Sequence, residues 1–149
     1  MALDEITERV VIGLLGRYEF DAIPWRVPFE AEAIEGLSIS GFFKKNYKGI
    51  ITDKQVEVLK KMGPVDIIGI KNNKIYFFLV KKPENSSVKF SSEDEKKNFL
   101  NAKKKNVNVY IIENPYPEHM FKVYDAPKEA IVSLKIKLNK CKLVNLEKI

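Results

Sequence analysis

Cysteine is almost missing from this chain: Cys141 is the only one in 149 residues. One thiol excludes an internal disulfide and a cysteine-built metal site, and it fits a reducing interior. Histidine is equally scarce. His119 stands alone beside Pro117, and with no second histidine or triad partner in view it reads as a surface residue. No apolar run comes near the ~20 residues of a membrane span. The first residues lack the charged-then-apolar pattern of a secretory signal, so a cytoplasmic protein is the expectation. Internal repeats and low-complexity linkers are also lacking.

What is present is an ordinary globular balance of 45% hydrophobic and 31% charged residues. The length suits one domain, 1–149, with a real core. The net charge is +6 and the pI near 9.2, carried mainly by lysine. Such a balance favours a polyanionic partner, and it equally describes a solvated lysine surface.

The most informative stretch is Gly63 to Pro83, G-P-V-D-I-I-G-I-K-N-N-K-I-Y-F-F-L-V-K-K-P. Val65, Ile67, Ile68 and Ile70 form a β-branched run, so Val65–Ile70 is expected as a strand. Asn72-Asn73 suits a two-residue turn because Asn tolerates positive φ. Ile75 to Val80 is a continuous apolar run, short enough for a strand buried on both faces. A hairpin built this way brings Asp66 and Lys81 to the same end. Phe77, Leu79 and Lys81 share one strand face, an apolar floor with a cation at its rim.

These residues resemble the PD-(D/E)xK nuclease superfamily, in particular archaeal Holliday junction resolvases. Pro64-Val65-Asp66 matches the entry to the first strand, and Leu79-Val80-Lys81 occupies the E-x-K position with leucine in place of the glutamate. In the family the aspartate and glutamate bind Mg²⁺, which activates water, and the lysine orients the nucleophile or stabilises the transition state. The resemblance implies Asp66 and Lys81 as catalytic positions and Asp66 as a metal ligand. It also implies a restriction-endonuclease-like α/β fold, a mixed central sheet flanked by helices. Leucine cannot coordinate a hard cation, so the centre reads as degenerate.

The flanking chain extends the resemblance. Leu3 to Arg17 is expected as a helix, with Ile6, Val10, Val11, Leu14 and Leu15 at helical spacing and acids near its start. Glu8-Arg9 stands where the resolvases carry E-R on their first helix. In the family that glutamate can complete the metal site, while taken alone Glu8 is a helix-surface residue. Pro24 and Pro28 exclude an uninterrupted helix, and Asp21 to Val27 matches the strand that follows in the family. Trp25 and Phe29 suit the core or exposed stacking. Phe42, Phe43 and Tyr47 interleave with Lys44, Lys45 and Lys48, a pattern that fits contact with phosphates and bases or a hairpin with a polar tip. Residues 36–62 are longer than the resolvase connection, hence a candidate insertion, closing on a helix capped at Thr52 and stopped by Gly63-Pro64.

After the hairpin, a helix is expected from Ser92 with Lys103, Lys104 and Lys105 near its end, then the strand Val107–Ile112. That strand should run parallel to Ile75–Lys81, because a helix joins them. The order matches the resolvases. A C-terminal strand extension is expected over 121–149, from Phe121–Tyr124, from Leu134–Leu138 and from a partner to the latter around Cys141 and Leu143.

Three functions are compatible with these residues. The first is a nucleic-acid-binding protein with a degenerate, inactive centre, contacting DNA through Lys44, Lys45, Lys82, Lys103, Lys104 and Lys105. The second is an active Mg²⁺-dependent structure-specific endonuclease whose second carboxylate comes from the following helix; Glu95 with Asp66 would then hold the metal. The third is a non-catalytic interaction subunit. DNA is the expected partner, with a homodimer or an active paralogue as protein partner; no cofactor is expected unless the centre is active.

Overall fold

The computed structural model describes residues 5–47, 57, 65–81, 87–89, 94, 97–98, 101, 107–113, 122–125, 135–137 and 142–149. In chain order its elements are α1 (Glu5–Arg17), β1 (Asp21–Pro24), α2 (Arg26–Glu35), α3 (Ile39–Tyr47), β2 (Ile67–Lys71), β3 (Lys74–Lys81), β4 (Ser87–Lys89), β5 (Val109–Glu113), β6 (Lys122–Asp125), β7 (Lys135–Lys137) and β8 (Lys142–Val144), closed by a 3-10 turn at Leu146–Lys148. Among the described residues no helix is long and apolar enough to cross a membrane.

The expected hairpin sits in the middle. Asn72 and Asn73 hold φ of 52° and 59°, as a two-residue turn with right-handed strand twist demands. The turn joins β2 to β3 with Ile67 across from Phe78 and Ile70 across from Ile75. On its other side β3 pairs with β5 in parallel, Phe77 beside Val109 and Lys81 beside Glu113. The mixed sheet has the order β1-β2-β3-β5-β6-β8, and β4 pairs with β7 in a separate two-stranded sheet. The mixed α/β class is therefore as the sequence implied.

The strand expected over Val65–Ile70 starts later, at Ile67, and that expected over Val107–Ile112 runs Val109–Glu113. Three expectations need correction. The partner foreseen for the Leu134–Leu138 strand does not lie beside it: β8 pairs with β6 and β7 with β4. The stretch after β1 turns helical as α2, because Pro28 falls in the first turn, where an N–H has no intrahelical acceptor to lose. Residues 39–47 form α3 rather than a hairpin. Its start is capped by Ser38, whose Oγ accepts from Gly41 N–H at 3.0 Å and whose carbonyl accepts from Phe42 N–H at 2.8 Å. Apart from Glu57, which is helical, the helix expected at 52–62 lies outside the described residues, as does most of the one expected after Ser92.

Both faces of the central strands are buried. Ile67, Tyr76, Phe78, Val80 and Ile112 pack with Val11 and Leu15 of α1, with Phe20, and with Val123 and Leu146. On the opposite face Ile68, Ile70, Ile75, Phe77, Leu79, Val109 and Ile111 are buried too, and Trp25 meets Phe77 edge-on at 6.3 Å. Phe20 occupies a seat that only glycine leaves open. A Cβ at Gly69 would stand 2.9 Å from Phe78 and 3.0 Å from Phe20. The Phe20 ring packs edge-on to Tyr76 and Phe78 at 5.4 and 5.5 Å, and Lys71 Nζ lies 5.0 Å from its centroid. Burial pushes the Tyr76 hydroxyl above its ordinary pKa.

α1 enters the sheet through a Schellman turn. Phe20 N–H donates to Leu15 O at 3.1 Å and Glu19 N–H to Gly16 O at 3.1 Å, with Glu19 at φ 68°. This left-handed position is the one that glycine fills most cheaply, and a Cβ is strained there. Glu19→Gly should therefore raise stability by about 0.5 to 1 kcal/mol after the unfolded-state entropy of glycine is counted. Urea unfolding checks this through a higher midpoint at unchanged slope.

Candidate functional site

Strand directions collect one set of residues at a single end of the sheet. β3 and β5 finish there at Lys81 and Glu113, β2 and β6 begin there, and β1 ends there at Pro24 opposite Ile67. Asp66 precedes β2 at this end, so Asp66 and Lys81 are brought to the same end as the sequence suggested.

Asp66 continues the β1–β2 ladder by one step. Its N–H donates to Phe78 O at 3.1 Å, and its carbonyl accepts from Trp25 N–H at 3.1 Å. Ile67 faces Phe78 as well, so Asp66 and Ile67 both lie against Phe78, the two-to-one arrangement of a bulge. Its carboxylate Oδ2 accepts from Val80 N–H at 2.7 Å. β2 has no residue left in the ladder to receive this amide, and the side chain takes over the task of a strand carbonyl. Leu79, next to Val80 on β3, is 2% exposed. Mg²⁺ needs several oxygen ligands; Leu79 offers none and Asp66 Oδ2 is engaged. The described residues do not fit the two-carboxylate site that the resemblance implies, and among them no three His, Cys, Asp or Glu form a metal-ligating group.

Glu8 is held by a cation rather than standing open on the helix surface. Arg26 Nη2 lies 3.2 Å from Glu8 Oε1, whose side chain is only 14% exposed, and Arg26 Nη1 lies 3.4 Å from Glu30 Oε2. The hydrogen bond from Arg26 to Glu8, then the charges of Glu8 and Glu30, raise the Arg26 pKa above its ordinary value. Arg26 follows Trp25, whose N–H is bonded to Asp66, so this ion pair flanks the same end of the sheet.

Lys44 and Lys45 are exposed in the last turn of α3, off the strands that carry Asp66 and Lys81. Two of the aromatics that interleave with them in the sequence do not accompany them outward. Phe42 is 8% exposed and Phe43 fully buried, packed edge-on at 5.4 Å, so neither is available for base stacking. Lys82, Glu95, Lys103, Lys104, Lys105 and His119 lie outside the described residues.

One residue that sequence reasoning passed over is Glu113. It lies one residue past the expected Val107–Ile112 strand, and the register puts it beside Lys81 and, on β6, beside Lys122. A charged residue one step past the apolar run V-Y-I-I was its only signal.

Comparison with protein-family models, with curated proteins and with solved structures finds no match to this chain.

The Asp66–Val80 bond implies a structural cost that is independent of any metal. Asp66→Ala should destabilise the protein by about 1 to 3 kcal/mol, because it strands a buried amide. Asp66→Asn keeps an acceptor and should lose less. Urea unfolding with EDTA present measures both.

Proposed function

We propose that this chain is a nucleic-acid-binding protein of nuclease-like fold whose PD-(D/E)xK centre is degenerate and catalytically inactive. The observation that carries the reading is the bond from Val80 N–H to the Asp66 carboxylate. Where the resemblance calls for two carboxylates on one metal, position 79 is a buried leucine and the aspartate's oxygen caps the backbone of β3. The order of elements gives further support: a first helix with Glu8-Arg9, a strand, the hairpin, and then a strand parallel to β3. That order is the one noted for the resolvases in the sequence.

The binding partner is DNA, held through phosphate contacts. Lys44 and Lys45 supply exposed positive charge on α3, and Lys82 and Lys103 to Lys105 add to the basic balance of the sequence. Such contacts position a duplex without reading its bases. A cytoplasmic setting fits the single cysteine.

Duplex or branched DNA should bind with affinity that falls steeply as salt rises, since phosphate neutralisation releases counterions. Replacing Lys103, Lys104 and Lys105 together with alanine should flatten the slope of log K against log salt by about 2 to 3. Fluorescence anisotropy across a salt series measures this. The protein should leave DNA uncut with Mg²⁺ or Mn²⁺. No binding at low salt sinks the reading, and so does cleavage that is lost in both Asp66→Ala and Glu95→Ala.

Leu79→Glu tests the centre itself. A glutamate at this buried position loses hydration, so Tm should fall. Added Mn²⁺ should recover part of the loss by binding linkage, with little such recovery in the wild type. Equal rescue of wild type by Mn²⁺ would mean that a metal site already exists.

A further inference from the structure

The hairpin end of the sheet, where β2 turns into β3, carries two cations that no carboxylate neutralises. Lys71 and Lys74 stand directly opposite each other in the register. Opposed like charges on paired strands weaken a sheet, and among the described residues neither lysine makes an ion pair. Lys74 is exposed and Lys71 half-buried, with its Nζ 5.0 Å from the centre of the Phe20 ring. The turn residues between them, Asn72 and Asn73, are exposed and add carboxamide donors. The sequence K-N-N-K thus offers ammonium and amide donors on consecutive residues at one tip.

The acids at this end do not cancel the pair. Asp21 stands opposite Ile70, so alternation puts it on the other face of the sheet from Lys71. Glu19 is exposed and makes no ion pair among the described residues, and Arg17, two residues before it, is exposed as well and offsets its charge. Farther across the sheet, Asp125 faces Lys142 in the register. β5 runs parallel to β3 and therefore begins at this end too. In the sequence, Lys103-Lys104-Lys105 precedes Val107 by a single residue. That run lies outside the described residues, and chain order alone leads it toward the start of β5.

We infer that the β2–β3 hairpin tip is the surface that holds the DNA backbone, with Lys71 and Lys74 on phosphates, at the end of the sheet opposite Asp66. Lys74 and Lys81 are the two ends of β3, roughly 23 Å apart at about 3.3 Å per residue. The DNA seat and the degenerate centre are therefore separate places. A phosphate between the two ammonium groups turns their mutual repulsion into attraction for the ligand, which gives the uncompensated pair a use. The inference rests on the reading of this chain as DNA-binding and adds to it the surface that makes the contact.

Fluorescence anisotropy with a labelled DNA duplex across a salt series tests it, using two pairs of substitutions that remove the same charge. Lys71→Gln with Lys74→Gln should flatten the slope of log K against log salt by about 2, since each lost phosphate contact accounts for about 0.9. Arg9→Gln with Lys148→Gln, at exposed positions off the hairpin, should leave the slope unchanged. Lys71→Arg with Lys74→Arg keeps both charges and should keep the slope, which separates phosphate binding from damage to the fold at Phe20. Equal flattening in the two glutamine pairs would mean that net charge governs binding rather than the tip, and it overturns the inference. An unchanged slope in the tip pair does the same. Both of these results leave the DNA reading standing. Wild-type protein that binds no duplex at low salt removes the reading and the inference together.

Discussion

The fold depends on keeping every backbone group of β3 satisfied while both of its faces are dry. β3 has a strand on each side and buried side chains above and below, so no water replaces a missing partner. At its far end the β2 ladder runs out at Ile67, and Val80 N–H would be stranded. The carboxylate of Asp66 closes that gap at 2.7 Å. A charged acceptor makes a shorter and stronger bond than a neutral one, which suits the end of a ladder, where strands otherwise fray. Asp66 fixes the meeting of β1, β2 and β3 through three hydrogen bonds, by its N–H, its carbonyl and its side chain.

Such a role bears on how the Asp66 end of the sheet is read. An aspartate in a two-metal-ligand centre needs a neighbour that shares the charge of a cation. This one has an amide in hydrogen-bond contact, and position 79 is a buried leucine. Burial on the Leu79 face is continuous from Ile75 through Leu79 and across to Val109 and Ile111. The register sets Lys81, Glu113 and Lys122 in one row at the end of these strands. The proposed inactive centre thus lies at the end of a continuous apolar floor.

Much of the hairpin was legible because local chemistry dictates it. Asn-Asn tolerates positive φ, β-branched residues favour extended chain, and a six-residue apolar run is too short for a buried helix of ordinary length. The parallel pairing of β3 and β5 was legible for a topological reason, since two strands joined by a helix meet in parallel. α2 and α3 were not legible. Proline near a helix start looks like a breaker in sequence and is harmless in the first turn, and the alternation of aromatics with lysines in α3 looks like an exposed basic strip. In three dimensions the helix sorts Phe42 and Phe43 inward and Lys44 and Lys45 outward.

Of the candidate site, the sequence by itself determined the chemistry present: an aspartate, a lysine two strands' length away, and a leucine where a second acid would be needed. Composition and turn signals carry that much because they depend on neighbours along the chain. Tertiary structure alone decided what each group does. That Asp66 receives the Val80 amide, that Glu8 is held by Arg26 eighteen residues on, and that Glu113 stands beside Lys81 are matters of register and packing between distant segments. Which strand β8 joins was decided the same way, since an apolar strand can pair with any open edge and only the packed core selects one.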